Sequence, residues 1–170
     1  MEGRMGLHMK GKVPEMEIDA MVDAVRDYLD GEEYRYEYDA ERNVIKLRFT
    51  IQSKLRNTNI VIRFKPRGIL SHAYSPIDAD KDAPVEMMKF LTMANYALFN
   101  GNFEMDLEDG EVRYKVWLAT DGLETIPKEQ IEDLVDLPIH MLKLYGDGIA
   151  ALAMGFSDAE TEIKKCEESN

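Results

Sequence analysis

The sequence predicts an α+β fold: an antiparallel sheet of five to six strands with helices packed on it. Three observations predict it. Three stretches between Tyr34 and Lys65 alternate apolar and charged residues with a period of two, the pattern of a sheet with one buried face. Ala83 to Ala119 reads as a helix, a glycine stop, a strand, a tight turn and a returning strand. From Pro127 onward apolar residues recur at helical spacing. The expected order is α-β-β-β-(β)-α-β-β-α-α.

Residues 1–13 hold three glycines and no periodicity and read as a loose arm; residues 14–168 read as one domain. The first helix starts near Pro14, a good first-turn residue. Its apolar stripe is Ile18, Met21, Val22, Val25 and Leu29, and Gly31 ends it. Tyr34, Tyr36 and Tyr38 alternate with Arg35 and Glu37. Ile45, Leu47, Phe49 and Ile51 alternate with Lys46, Arg48 and Thr50. Ile60, Ile62 and Phe64 alternate with Val61, Arg63 and Lys65. Short polar connections between them make an antiparallel meander the natural arrangement. Ile69–Tyr74 reads as a fourth, weaker strand.

The second helix begins at Pro84. Met87, Met88, Phe90, Leu91, Ala94 and Leu98 cover more than one of its faces, which predicts a central helix packed on two sides. Gly101 is read as its left-handed cap residue. If Asp109-Gly110 is a type I′ turn, Leu107 faces Val112, Met105 faces Tyr114 and Phe103 faces Val116. On the other face Asp106 then meets Arg113 and Glu104 meets Lys115. Each such pair contributes about 0.2–1 kcal/mol. A third helix follows Pro127, with a kink or restart at Pro138 and a bend at Gly146 and Gly148. Ser157 and Glu160 form a capping box for a short last helix ending near Glu168.

Composition narrows the function. A chain of 170 residues, 45% hydrophobic and 32% charged, can bury roughly 70% of its unfolded surface without staples. One cysteine, Cys166, reads as a bystander thiol in a reducing compartment. No apolar run reaches membrane-spanning length and the N-terminus lacks an apolar core, so a cytoplasmic protein is expected. The net charge of −12 opposes general nucleic-acid binding. Yet Arg42 to Arg67 carries eight basic residues and no acidic one. The rest of the chain sets all 33 acidic residues against the other 13 of the 21 basic ones.

The segment Asn95–Lys115, NYALFNGNFEMDLEDGEVRYK, resembles the central signature of the YbjN-domain family, bacterial proteins described as sensory transduction regulators. That signature is a helix ending in Asn and Gly, a Gly-Asn-Phe strand, an acidic turn and a Val-Arg-Tyr-Lys strand. The pattern extends over residues 15–160. The resemblance implies a fold similar to type III secretion chaperones, a frequent homodimer and no enzyme activity.

The side chains themselves favour a protein contact over chemistry. His8, His72 and His140 share no metal-ligand spacing and read as surface or loop histidines. Asp78, Asp80 and Asp82 alternate like a calcium loop but lack its glycine and terminal glutamate. No phosphate-loop or nucleophile-elbow motif occurs. No cofactor or metal is expected. The methionines Met87, Met88, Met93, Met141 and Met154 read first as packing and second as an adaptable surface. Trp117 is in phase with Arg113 and Lys115, as at a binding hot spot. Lys46, Arg48 and Arg63 lie on neighbouring strands. They read first as a face neutralised by the protein's own acidic helices, then as a contact for an acidic partner or a second subunit. The expected function is therefore a non-catalytic protein-binding or regulatory module, with Trp117, Arg113, Lys115, Lys46, Arg48 and Arg63 as contact residues and a homodimer as its state. The alternatives are a small-molecule or enzymatic domain with an unrecognised carboxylate site, and nucleic-acid binding through the basic 42–67 face.

Overall fold

The computed structural model describes residues 15–96 and 98–168. The arm expected at residues 1–13 and His8 lie outside them. The elements are α1 (Ile18–Gly31), β1 (Tyr36–Asp39), β2 (Val44–Thr50), β3 (Asn57–Lys65), β4 (Gly68–Tyr74), α2 (Val85–Asn95), β5 (Asn102–Met105), β6 (Val112–Ala119), α3 (Lys128–Ala153) and α4 (Ala159–Glu168). The α+β expectation holds, with six antiparallel strands in the order β1-β2-β3-β4-β6-β5. β1 to β4 form the expected meander. β4, read as weak, is a full central strand paired on both sides.

Side-chain alternation divides the sheet. Ile45, Leu47, Ile60, Ile62, Phe64, Ile69, Tyr114 and Val116 are buried beneath the helices. All four helices lie on that face. α3 crosses β3, β4 and β6, α1 packs on α3 and β3, and α2 and α4 lie over the β5 side. The central place belongs to α3, not to the second helix as its broad apolar surface suggested. In α2 only Met87, Phe90, Leu91 and Ala94 are buried, while Val85, Met88 and Met93 are exposed.

α3 runs unbroken through Pro138, where a kink or restart was expected. A proline lacks the N–H that would bond the carbonyl four residues earlier. That carbonyl belongs to Leu134, and the Ser71 hydroxyl of β4 donates to it at 2.6 Å in the buried core. The sheet thus supplies the bond the helix lacks. Gly146 and Gly148 do not interrupt α3 either. A Cβ at Gly146 would stand 2.7 Å from Ser53 Oγ, and one at Gly148 would stand 2.5 Å from the Phe90 ring. Both glycines permit close approach.

The β5–β6 hairpin is shifted by two residues from the expected register: Met105 faces Val112, Phe103 faces Tyr114 and Glu104 faces Arg113. A type I′ turn needs positive φ at both central residues, and only Gly110 has it, at 87°. The chain instead forms a wider loop closed by Asp106 N–H to the Glu111 carbonyl. The Asp106 and Asp109 side chains accept from the N–H groups of Glu108 and Glu111. A two-residue shift leaves each side chain on its face. Other boundaries move too. α1 starts at Ile18, with Glu17 as its N-cap residue. Gly101 (φ 75°) leads into β5, six residues after α2 ends. The N-terminus of α4 is capped by Asp158 rather than by a Ser157–Glu160 box, and Glu86 of α2 accepts from the Ala159 N–H.

Candidate functional site

The face of the sheet opposite the helices is covered by no described helix. Its side chains form cross-strand rows set by the register. One row runs Val44, Arg63, Leu70 and Trp117. The next runs Glu37, Lys46, Val61, His72, Lys115 and Asn102. The third runs Arg48, Asn59, Tyr74, Arg113 and Glu104. All six expected contact residues therefore share one surface. The acidic helices lie on the other face, so they do not neutralise the basic block as first expected.

Neutralisation is local and partial. Glu104 pairs with both Lys115 and Arg113, and Arg113 also pairs with Glu111 at 3.2 Å. Burial raises the pKa of the Glu104 carboxyl, but the hydrogen bonds from Lys115 and Arg113 outweigh it and hold the group below the usual range. The cations of β2 and β3 differ. Lys46, Arg48 and Arg63 form no ion pair with any described residue. Among the described residues the Arg63 guanidinium hydrogen-bonds neutral groups, His72 Nδ1 at 3.1 Å and the Tyr74 hydroxyl at 3.5 Å. His72 is buried, contrary to the expectation of a surface histidine, with the Arg63 guanidinium at 3.1 Å and the Tyr74 ring at 5.9 Å beside it. Burial first, then the charges of Arg113 and Arg63, push its pKa down to about 4.

Between β1 and β4 the face holds a concavity of about 800 Å³, lined by Lys46, Arg48, Asn59, Val61, Arg63 and Tyr74 among others. Trp117 stands apart from it. The residue is 46% exposed, and its indole lies against Gly68, where any Cβ would strike the ring. Phe64 is buried in the core, and Phe49 packs edge-on against Tyr34, as their phase predicts.

Sequence reasoning missed His72 and Tyr74. Their signal was the alternation of Leu70, His72 and Tyr74 in a strand diluted by serine and alanine. His140 is exposed on α3, and among the described residues no group of three or more His, Cys, Asp or Glu side chains could hold a metal. Asp80 accepts from the Asp82 N–H as a local turn. The methionines split: Met87 and Met141 are buried, while Met88, Met93 and Met154 are exposed. No described helix is long and apolar enough to cross a membrane.

Fold and face together define an α+β protein whose antiparallel sheet is covered by helices on one side only. The chain belongs to the YbjN family: the family's profile, described as "Putative bacterial sensory transduction regulator", matches residues 21–151. Among solved structures it is similar to YbjN from E. coli, described as "a putative transcription regulator". The two share 14% identity and a TM-score of 0.58, over 76% of this chain and 91% of that one. No curated protein matches the chain.

Proposed function

We propose that this chain is a non-catalytic regulatory module that acts by protein–protein contact through its helix-free sheet face. The observation that carries the reading is the convergence of Lys46, Arg48, Arg63, Arg113, Lys115 and Trp117 on one uncovered surface, with the first three lacking carboxylate partners among the described residues. Arginine and tryptophan supply much of the energy of protein contacts, and the regulator descriptions of the family and of the E. coli relative agree with a contact role. The chain works in the cytoplasm in this reading. Affinity capture from the native host, with mass spectrometry, tests it: the wild type retains a partner that Trp117→Ala and Arg113→Glu lose. Catalytic turnover by the purified protein, abolished by a carboxylate substitution on this face, overturns it.

The homodimer belongs to the same proposal and uses a sheet edge, because face-to-face contact would oppose like charges. Light scattering gives twice the chain mass if so, and a clean monomer removes the dimer. Exposure of Lys46 and Arg48 favours nucleic acid as a second reading. That reading requires binding whose affinity falls steeply with salt, against the repulsion of a net charge of −12.

A further inference from the structure

Resting on the contact reading, we propose that the concavity over β2 and β3 seats an extended acidic segment of a partner protein. Charge selects the occupant. Lys46 and Arg48 are exposed and Arg63 is half-buried; all three line the concavity, and none has an ion pair with a described residue. Arg63 is held in place by neutral groups, His72 and Tyr74, so its charge is oriented without being cancelled. Val61 and Tyr74 add apolar and aromatic surface between the cations. Carboxylates spaced by apolar residues match that alternation.

The geometry argues against other occupants. The concavity lies open across the sheet, whereas a small ligand is usually 70–90% buried. A second copy docked face to face would set cations against cations. A phosphate chain carries a charge at every step and would set one against Glu37 and another against Glu111, whereas a peptide can place neutral residues beside both. Glu37 on β1 and Glu111 beside β6 are four strand spacings apart, about 19 Å. About six extended residues of about 3.3 Å each span that distance, with the acidic side chains placed between the two glutamates.

Fluorescence anisotropy tests the assignment with a labelled eight-residue peptide of alternating Glu and Leu, the same peptide with Lys for Glu, and a labelled eight-nucleotide oligo-dT. The Glu peptide is expected to bind the wild type, and more tightly at low salt. The double variant Lys46→Glu/Arg48→Glu binds it at least tenfold more weakly with an unchanged circular dichroism spectrum, since both side chains are exposed. Lys143→Glu/Lys164→Glu changes the net charge equally, away from this face, and retains binding. Glu37→Gln tightens it. The assignment is overturned if the Glu peptide does not bind, if both double variants weaken it alike, if the Lys peptide binds equally, or if oligo-dT binds more tightly. Self-association of the unliganded protein that Lys46→Glu/Arg48→Glu abolishes also overturns it, since the occupant is then a second copy. Failure of the peptide with retained, Trp117-dependent partner capture removes only this seat; failure of both removes the contact reading as well.

Discussion

Arg63 donates a hydrogen bond to His72 Nδ1 across 3.1 Å, between adjacent strands. A guanidinium has no acceptor, so Nδ1 is unprotonated and the neutral ring carries its proton on Nε2. Groups from three strands face this imidazole: Arg63 of β3, Arg113 and Lys115 of β6, and Glu104 of β5. Burial leads the downward shift to about 4, with the cations adding to it and Glu104 opposing it. The unfolded chain takes up this proton near the ordinary value of 6.5, well above the folded state. Stability from His72 is therefore complete above about pH 6.5 and is lost as pH falls toward 4. The melting temperature of the wild type is expected to fall between pH 7 and 5, and that of His72→Gln to fall less. Equal slopes would remove His72 from the account.

Glu104 can be separated from its stability role. Glu104→Gln removes the carboxylate shared by Arg113 and Lys115 and costs about 1 kcal/mol or less, as for other partly exposed pairs. It also removes a carboxylate that raises the His72 pKa. A proton NMR titration of the His72 ring should show a midpoint lower than in the wild type. An unmoved midpoint would mean that the two groups are screened from each other.

Ser71 and Pro138 should be thermodynamically coupled. Ser71→Ala leaves the buried Leu134 carbonyl without a donor and costs about 1–3 kcal/mol. Pro138→Ala restores a backbone N–H that can bond that carbonyl within the helix. In the Pro138→Ala background, Ser71→Ala should therefore cost less than in the wild type. A double-mutant cycle by denaturant unfolding measures the difference; additive effects would show that the hydroxyl does not replace the missing helical bond.

Two glycine substitutions should move stability in opposite directions. Gly148→Ala drives a methyl to 2.5 Å from the buried Phe90 ring and should cost about 1–3 kcal/mol. Gly31→Ala meets nothing within 4 Å in the last turn of α1 and should add about 0.5–1 kcal/mol. Chemical denaturation of both variants checks the sign.

Gly110 joins two loops. Its carbonyl accepts from the Ala79 N–H at 2.8 Å, and a Cβ on it would strike the Ala79 backbone. With φ at 87° as well, Gly110→Ala should cost more than about 1 kcal/mol. It should also speed hydrogen exchange at the Ala79 amide; unchanged exchange would show that the loops are independent.

Much of this face was legible because a period of two is an absolute instruction. Lys46 with Arg48, and Arg113 with Lys115 and Trp117, had to share sides whatever the register. For the same reason the hairpin register was not legible: a shift of two residues preserves every face, and φ at Asp109 is not written in a Asp-Gly pair. Which face the helices would take was not legible either, since helix packing is decided by contacts far apart in the chain. Pro138, Gly146 and Gly148 read as interruptions of α3 because each disfavours a helix locally. Their partners, Ser71, Ser53 and Phe90, lie on other elements. His72 reads as a surface residue because burial beside Arg63 and Tyr74 leaves no apolar signature in the sequence.

The sheet is a single residue deep between its two surfaces, and at β4 consecutive residues hold both. Ser71 anchors α3 on one side and His72 anchors Arg63 on the other. Sliding α3 by one turn would strand the Ser71 hydroxyl, so the helix is indexed to the sheet at one tooth. The His72 backbone is joined directly to that tooth. In mechanical terms β4 is an axle, with the open surface and the helical layer mounted on adjacent positions of one strand.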